Sequence, residues 1–139
     1  MRISALVENT PGQHHAAVET NGQQKSISIP PKPEGVGSAV NGGELLFLAL
    51  ATCYCNDLYR EAASRGLSLS RVSVEVNGEF GGPGEPASNI EYCASVESNA
   101  PREEVLALMR HTDTVAEIQN TLRAGRAVSL REIDAVSRK

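Results

Sequence analysis

The chain's 139 residues suit a single domain, 1–139, with a net charge of −4, a pI near 5.4 and only 4% aromatic residues. Its basic residues are scattered rather than gathered into a stripe, and Trp is absent, so nucleic acid is excluded as an expected partner. No run reaches the roughly 18 consecutive apolar residues of a membrane span, and the N-terminus lacks an apolar leader segment, so a cytoplasmic protein with no membrane partner is expected.

Residues 2–8 and 14–20 are short half-apolar runs, and residues 25–29 alternate Ser with Ile, a period of two that suits a half-buried strand. Thr10-Pro11-Gly12 and Asn21-Gly22-Gln23 fall where two hairpin turns belong, which predicts a three-stranded meander. Pro30, Pro31 and Pro33, followed by Gly35 and Gly37, end that sheet in a short irregular connection. A helix is predicted from residue 42 to Arg65, closed by Gly66 and opened by Asn41 with Glu44 at capping-box spacing. Every residue of 45–51 is apolar, so this half is expected to be covered on all sides by sheet, helix or a second subunit.

Val72, Val74 and Val76 alternate with polar residues, Gly81-Gly82-Pro83-Gly84 makes a hairpin tip, and a return strand runs over 87–98 with Cys93 in its polar phase. A second helix opens at Asn99-Ala100-Pro101, with Val105, Leu108, Met109, Thr112, Val115, Ala116 and Gln119 on one stripe. Asp113 and Thr114 interrupt it with cap-forming chemistry, the latter with Glu117, so a break is predicted near 113. Gly125 ends the element, and residues 127–133 alternate as a final strand. The strands group with hairpin partners, without βαβ alternation, and the class is α+β.

Three cysteines, an odd number, argue against a disulfide framework. Cys53 lies where the apolar half of the first helix meets the polar half, with Asp57 one turn on; core filler and reactive thiol are both open there. Cys55 is turned by about 200° on the wheel, so the pair cannot form a disulfide within a helix. Their spacing also fails as a zinc site, and neither metal nor cofactor is expected. His14, His15, His111 and Arg60 are the groups in the sequence able to activate a thiol.

The run NGGELLFLALATCY followed by REAASRGLSLSRVSVEV resembles the signature of the OsmC/Ohr family, the osmotically inducible protein C and organic hydroperoxide resistance proteins. The likeness covers nearly the whole chain. It implies an intertwined homodimer with active sites at the dimer interface, where a reactive Cys is oxidised by an organic hydroperoxide and a second Cys resolves the sulfenic acid. Cys53 takes the reactive position. Asp113 and Thr114 stand where the family has its second Cys and a following Pro, which marks a divergent branch lacking that cysteine. Gly43 replaces the peroxidase branch's Glu, and Gln13-His14 its Arg. Glu44 is a weak site candidate, because nine residues of helix place it about 180° around and about 13 Å along from Cys53. Asp113, if it faced Cys53, would oppose thiolate formation by like-charge repulsion.

Two functions follow from the resemblance. One is a thiol redox enzyme of the oxidative stress response that reduces organic hydroperoxides through Cys53, with an external thiol or Cys93 as resolver. The alternative is a non-catalytic OsmC-like dimer that binds a small apolar or thiol-containing ligand beside Cys53.

Overall fold

The computed structural model describes residues 1–138. Its elements run β1 (Ile3–Thr10), β2 (Gln13–Thr20), β3 (Gln23–Ile27), α1 (Gly42–Ser64), β4 (Leu69–Glu79), β5 (Ser88–Ser98), α2 (Arg102–Val115) and α3 (Glu117–Arg123). The class is α+β, as predicted, with a three-stranded antiparallel sheet and a separate β4-β5 hairpin. The chain divides along its sequence into two compact units, one comprising Met1–Leu48 and the other the residues from Ala49 on.

In the first unit the meander forms in the order β1-β2-β3, with Ala5 opposite Val18 and Ala16 opposite Ile27. Asn21 and Gly22 have φ of 48° and 84°; a two-residue hairpin turn of this hand needs positive φ at both positions, which is why Asn-Gly stands there. The proline-rich connection is tied by the Ala39 amide to the Pro30 carbonyl at 2.9 Å and the Lys32 amide to the Gly37 carbonyl at 3.0 Å.

The start of α1 is a reciprocal capping box: the Glu44 amide donates to Asn41 Oδ1 at 2.8 Å, and the Asn41 amide to Glu44 Oε1 at 3.0 Å. Glu44 is therefore a helix cap. Glu44→Ala is expected to lower stability by about 1 kcal/mol in urea unfolding, with the alkylation rate of Cys53 unchanged. At the other end Gly66 takes φ 69°, and the amides of Leu67 and Gly66 return to the carbonyls of Ala62 and Ala63 at 2.9 and 3.1 Å, the pattern of a Schellman cap.

Within the single chain only part of the apolar run of α1 is buried. Leu45 and Leu48 are 38% and 61% exposed, whereas the buried stripe is Leu50, Tyr54, Asp57, Leu58 and Ala62. An unbroken apolar run records only that a surface is to be covered; the single chain covers one face of it. In the second unit Tyr54, Leu58 and Ala62 meet Leu108 of α2, and Val72, Val74, Tyr92, Ala94 and Val96 of the hairpin pack against them. The hairpin register sets Val74 opposite Ala94 and Val72 opposite Val96, so one face of alternating residues meets the helices.

The predicted stripe of the second helix is buried or half-buried at every position from Val105 to Gln119. The break comes at Ala116, with φ −70° and ψ 110°, three residues after the position predicted. Neither Asp113 nor Thr114 caps α3: the Thr114 hydroxyl donates back to the His111 carbonyl at 2.6 Å, and Asp113 is engaged elsewhere. The strand predicted over 127–133 is absent; residues 126–138 form neither helix nor strand, and Val128 and Leu130 are 98% and 84% exposed. The alternation is present, but a strand exists only by pairing, and no edge among the described residues pairs with it.

Candidate functional site

Cys53, Asp57 and Arg60 lie one turn apart along α1, and Glu117 joins them from the first residue of α3. The half-buried Cys53 thiol donates to Asp57 Oδ2 at 3.5 Å and to Glu117 Oε2 at 3.7 Å. Arg60 Nη1 holds the other oxygen of each carboxylate, Asp57 Oδ1 and Glu117 Oε1, both at 3.1 Å. The sulfur thus faces one oxygen of each acid, and a single guanidinium faces the others. Asp57 is almost fully buried and Glu117 mostly exposed, so the cluster has a dry side and a wet side.

Burial pushes the Cys53 thiol up, and the negative charges of Asp57 and Glu117 push it further; the Ile118 amide, donating to the sulfur, works the other way without prevailing. The two carboxyls are hydrogen-bonded to each other. Burial and that bond hold Asp57 above the usual carboxylate range, while the bond from Asp57, with Arg60 in support, holds Glu117 below it. The arrangement keeps Cys53 a thiol with a proton acceptor at hydrogen-bond distance, in place of a preformed thiolate beside a cation.

The sequence candidates separate in the structure. Asp113 belongs to another cluster, accepting from Arg123 Nη2 at 2.7 Å and from the Tyr92 hydroxyl. Burial alone would raise its carboxyl, but the bonds from Tyr92 and Arg123 hold it below the usual range. The repulsion predicted between Cys53 and Asp113 instead comes from Asp57 and Glu117. Burial pushes the neighbouring Tyr54 up to about 12, and its hydroxyl donates to the Met109 carbonyl at 2.8 Å. His111 pairs with Glu61 at 2.7 Å, and His14 contacts Asn9 at 3.0 Å. Cys93 stands opposite Glu75 on the outer face of the hairpin, while Tyr92, Ala94 and Val96 face the helices, so it is turned away from the side that Tyr54 packs on. Glu117 was the residue sequence reasoning placed wrongly, as a partner for Thr114. The spacing of Cys53 and Asp57 was the one signal that an acid lay beside the thiol.

The family model of the OsmC-like protein matches residues 35–131. No curated protein matches the chain. Among solved structures, the OsmC-like protein from Mycoplasma pneumoniae superposes with a TM-score of 0.60 at 16% identity, covering 88% of this chain and 86% of that one. An organic hydroperoxide resistance protein from Elizabethkingia anophelis gives 0.57 at 19% identity, covering 88% and 89%. Another, from Legionella pneumophila, gives 0.55 at 20%, covering 88% and 90%. These likenesses establish a shared fold, and no helix among the described residues is long and apolar enough to cross a membrane. Because the family match runs over more than half of the sequence, from ahead of α1 to beyond α3, the chain belongs to the OsmC-like family.

Proposed function

We propose that the protein is a cytoplasmic thiol redox protein that reduces organic hydroperoxides through Cys53 alone. The observation that carries this reading is the Cys53 thiol set between the Asp57 and Glu117 oxygens at 3.5 and 3.7 Å. In the proposed step the sulfur attacks the distal peroxide oxygen, the thiol proton passes to the carboxylate pair, the O–O bond breaks and the alkoxide takes that proton and leaves as an alcohol. The product on the protein is a Cys53 sulfenic acid. An external dithiol then attacks it, water departs, and the mixed disulfide is released by the reductant's second sulfur. The outward orientation of Cys93 supports an external resolver over a resolving bond within one chain.

Relatives named for hydroperoxide resistance support the substrate class. A homodimer is part of the reading: Leu45, Leu48, Val128, Leu130 and Ile133 are apolar side chains exposed in the single chain, of the kind a second copy would cover. The test is consumption of an organic hydroperoxide by reduced protein with a dithiol, together with dimedone trapping of the sulfenic acid. Turnover with the adduct on Cys53 supports the reading; neither turnover nor adduct overturns it.

The second reading, ligand binding without turnover, is favoured by one feature, a cleft whose lining does not include Cys53. Tyr54, Tyr92, Leu106, Met109, Arg110 and Asp113 line this open cleft of about 390 Å³, with apolar walls and a charged rim. A thermal shift with hydrophobic acids in protein that does not consume peroxide would select this reading.

A further inference from the structure

Cys53 and Cys55 are spaced wrongly to share a metal ion, but folding brings Cys53 to a different set of donors. The Cys53 sulfur, an oxygen of Asp57 and an oxygen of Glu117 all lie within 4.8 Å of one another. A tetrahedral zinc ion with a Zn–S bond of about 2.3 Å and Zn–O bonds of about 2.1 Å has S···O edges of about 3.6 Å. The edges here are 3.5 Å to Asp57 Oδ2 and 3.7 Å to Glu117 Oε2, so both sulfur–oxygen edges match those of such an ion.

The surroundings suit such an ion as well. Arg60 bonds the remaining oxygens, Asp57 Oδ1 and Glu117 Oε1, and so stands behind both acids as the outer partner of a metal-bound carboxylate does. A thiolate, two carboxylates, the guanidinium and a divalent ion sum to a neutral cluster. A donor set of sulfur and carboxylate selects zinc over magnesium or calcium, which take oxygen alone. The exposed side chain of Glu117 provides a path of entry and leaves a fourth position open to water.

We propose that Cys53, Asp57 and Glu117 form a three-ligand zinc site that caps the thiol. On binding, the Zn–S bond forms and the thiol proton is released to solvent, with no change of oxidation state. The capped sulfur is then shielded from alkylation and from peroxide. The inference uses the thiol of the redox reading but does not require that it turn over.

The test is a cobalt titration of the reduced Cys55→Ser/Cys93→Ser protein, which keeps all three donors, followed by zinc displacement of cobalt and chelator competition for the zinc affinity. One cobalt per chain is expected, with a thiolate-to-cobalt charge-transfer band and tetrahedral visible bands. Adding Cys53→Ser is expected to abolish the charge-transfer band. Asp57→Asn and Glu117→Gln are each expected to weaken zinc by more than the roughly 10-fold that loss of an outer partner costs. Glu117 is exposed, so its variant reports even if the Asp57 variant fails to fold, which circular dichroism reveals. Absence of the band, its survival in Cys53→Ser, or an unchanged zinc affinity in either folded acid variant overturns the site. Peroxide turnover of metal-free protein is measured in parallel. Zinc binding without turnover overturns the redox reading alone, and turnover without the band overturns the metal site alone.

Discussion

Cys53→Ser is expected to bring dithiol-dependent consumption of an organic hydroperoxide down to the uncatalysed background, with Cys55→Ser and Cys93→Ser close to the unsubstituted protein. Serine cannot form the S–O bond on which turnover depends. The two other thiols are in different surroundings: Cys55 is on another face of α1, and Cys93 is on the outer face of the hairpin opposite Glu75. Steady-state peroxide loss checks this directly; full activity in Cys53→Ser would refute the assignment. The electrostatics add a second readout from the same thiol. With burial first and the two acids behind it raising the thiol, Cys53 should be alkylated by iodoacetamide with a midpoint above the free-thiol value of about 8.5. Glu117→Gln removes one of the opposing charges, so the alkylation curve should move to lower pH. An unmoved curve, read by mass spectrometry of the Cys53 peptide, would show that the Glu117 charge does not reach the sulfur.

Leu108→Ala carries the largest expected loss of stability, about 2–5 kcal/mol, because deletion of a fully buried leucine leaves a cavity as well as removing apolar burial. At a few degrees for each kcal/mol in a chain of this size, thermal unfolding should fall by roughly 10 °C. Leu108 is the α2 residue that completes the cluster with Tyr54, Leu58 and Ala62, so its truncation empties space at the centre of that cluster. Leu48→Ala makes the contrast. At 61% exposure it is nearly neutral in a lone chain. A loss comparable to that of a core leucine, growing as protein is diluted, would show that a second copy covers it. Calorimetry at two concentrations separates the cases.

What the sequence made legible was whatever depends on local periodicity. The stripe from Val105 to Gln119, the alternation of Val72, Val74 and Val76, and the Asn41/Glu44 box each rest on neighbours within a few residues, and each is in the structure. Illegible were the features decided by distant partners. Asp113 has the chemistry of a cap, but Tyr92 and Arg123 claim its carboxylate, so the helix runs on to Ala116. That shift of three residues places Glu117 at the head of α3 and beside a cysteine 64 positions away. Half of the site, Cys53 with Asp57, was readable as one helical turn; the other half required knowing where the chain bends. Nor does an apolar run at 45–51 or an alternating run at 127–133 state whose surface it meets.

The bend at Ala116 divides the sulfur's surroundings into two mechanical sets. Asp57 and Arg60 travel with Cys53 on α1, whereas Glu117 and the Ile118 amide are carried by a helix of seven residues. Among the bonds that moor that short helix, Gln119 Nε2 donates to the Leu50 carbonyl at 3.0 Å, and Arg123 Nη1 to the Asp113 carbonyl at 3.0 Å. A rotation of α3 about the bend would withdraw an acid and an amide from the sulfur together, one opposing its ionisation and one favouring it. The amide counts for more than the Glu117 charge, so such a rotation would leave the thiol a weaker acid, held up by burial and by Asp57, which does not move away.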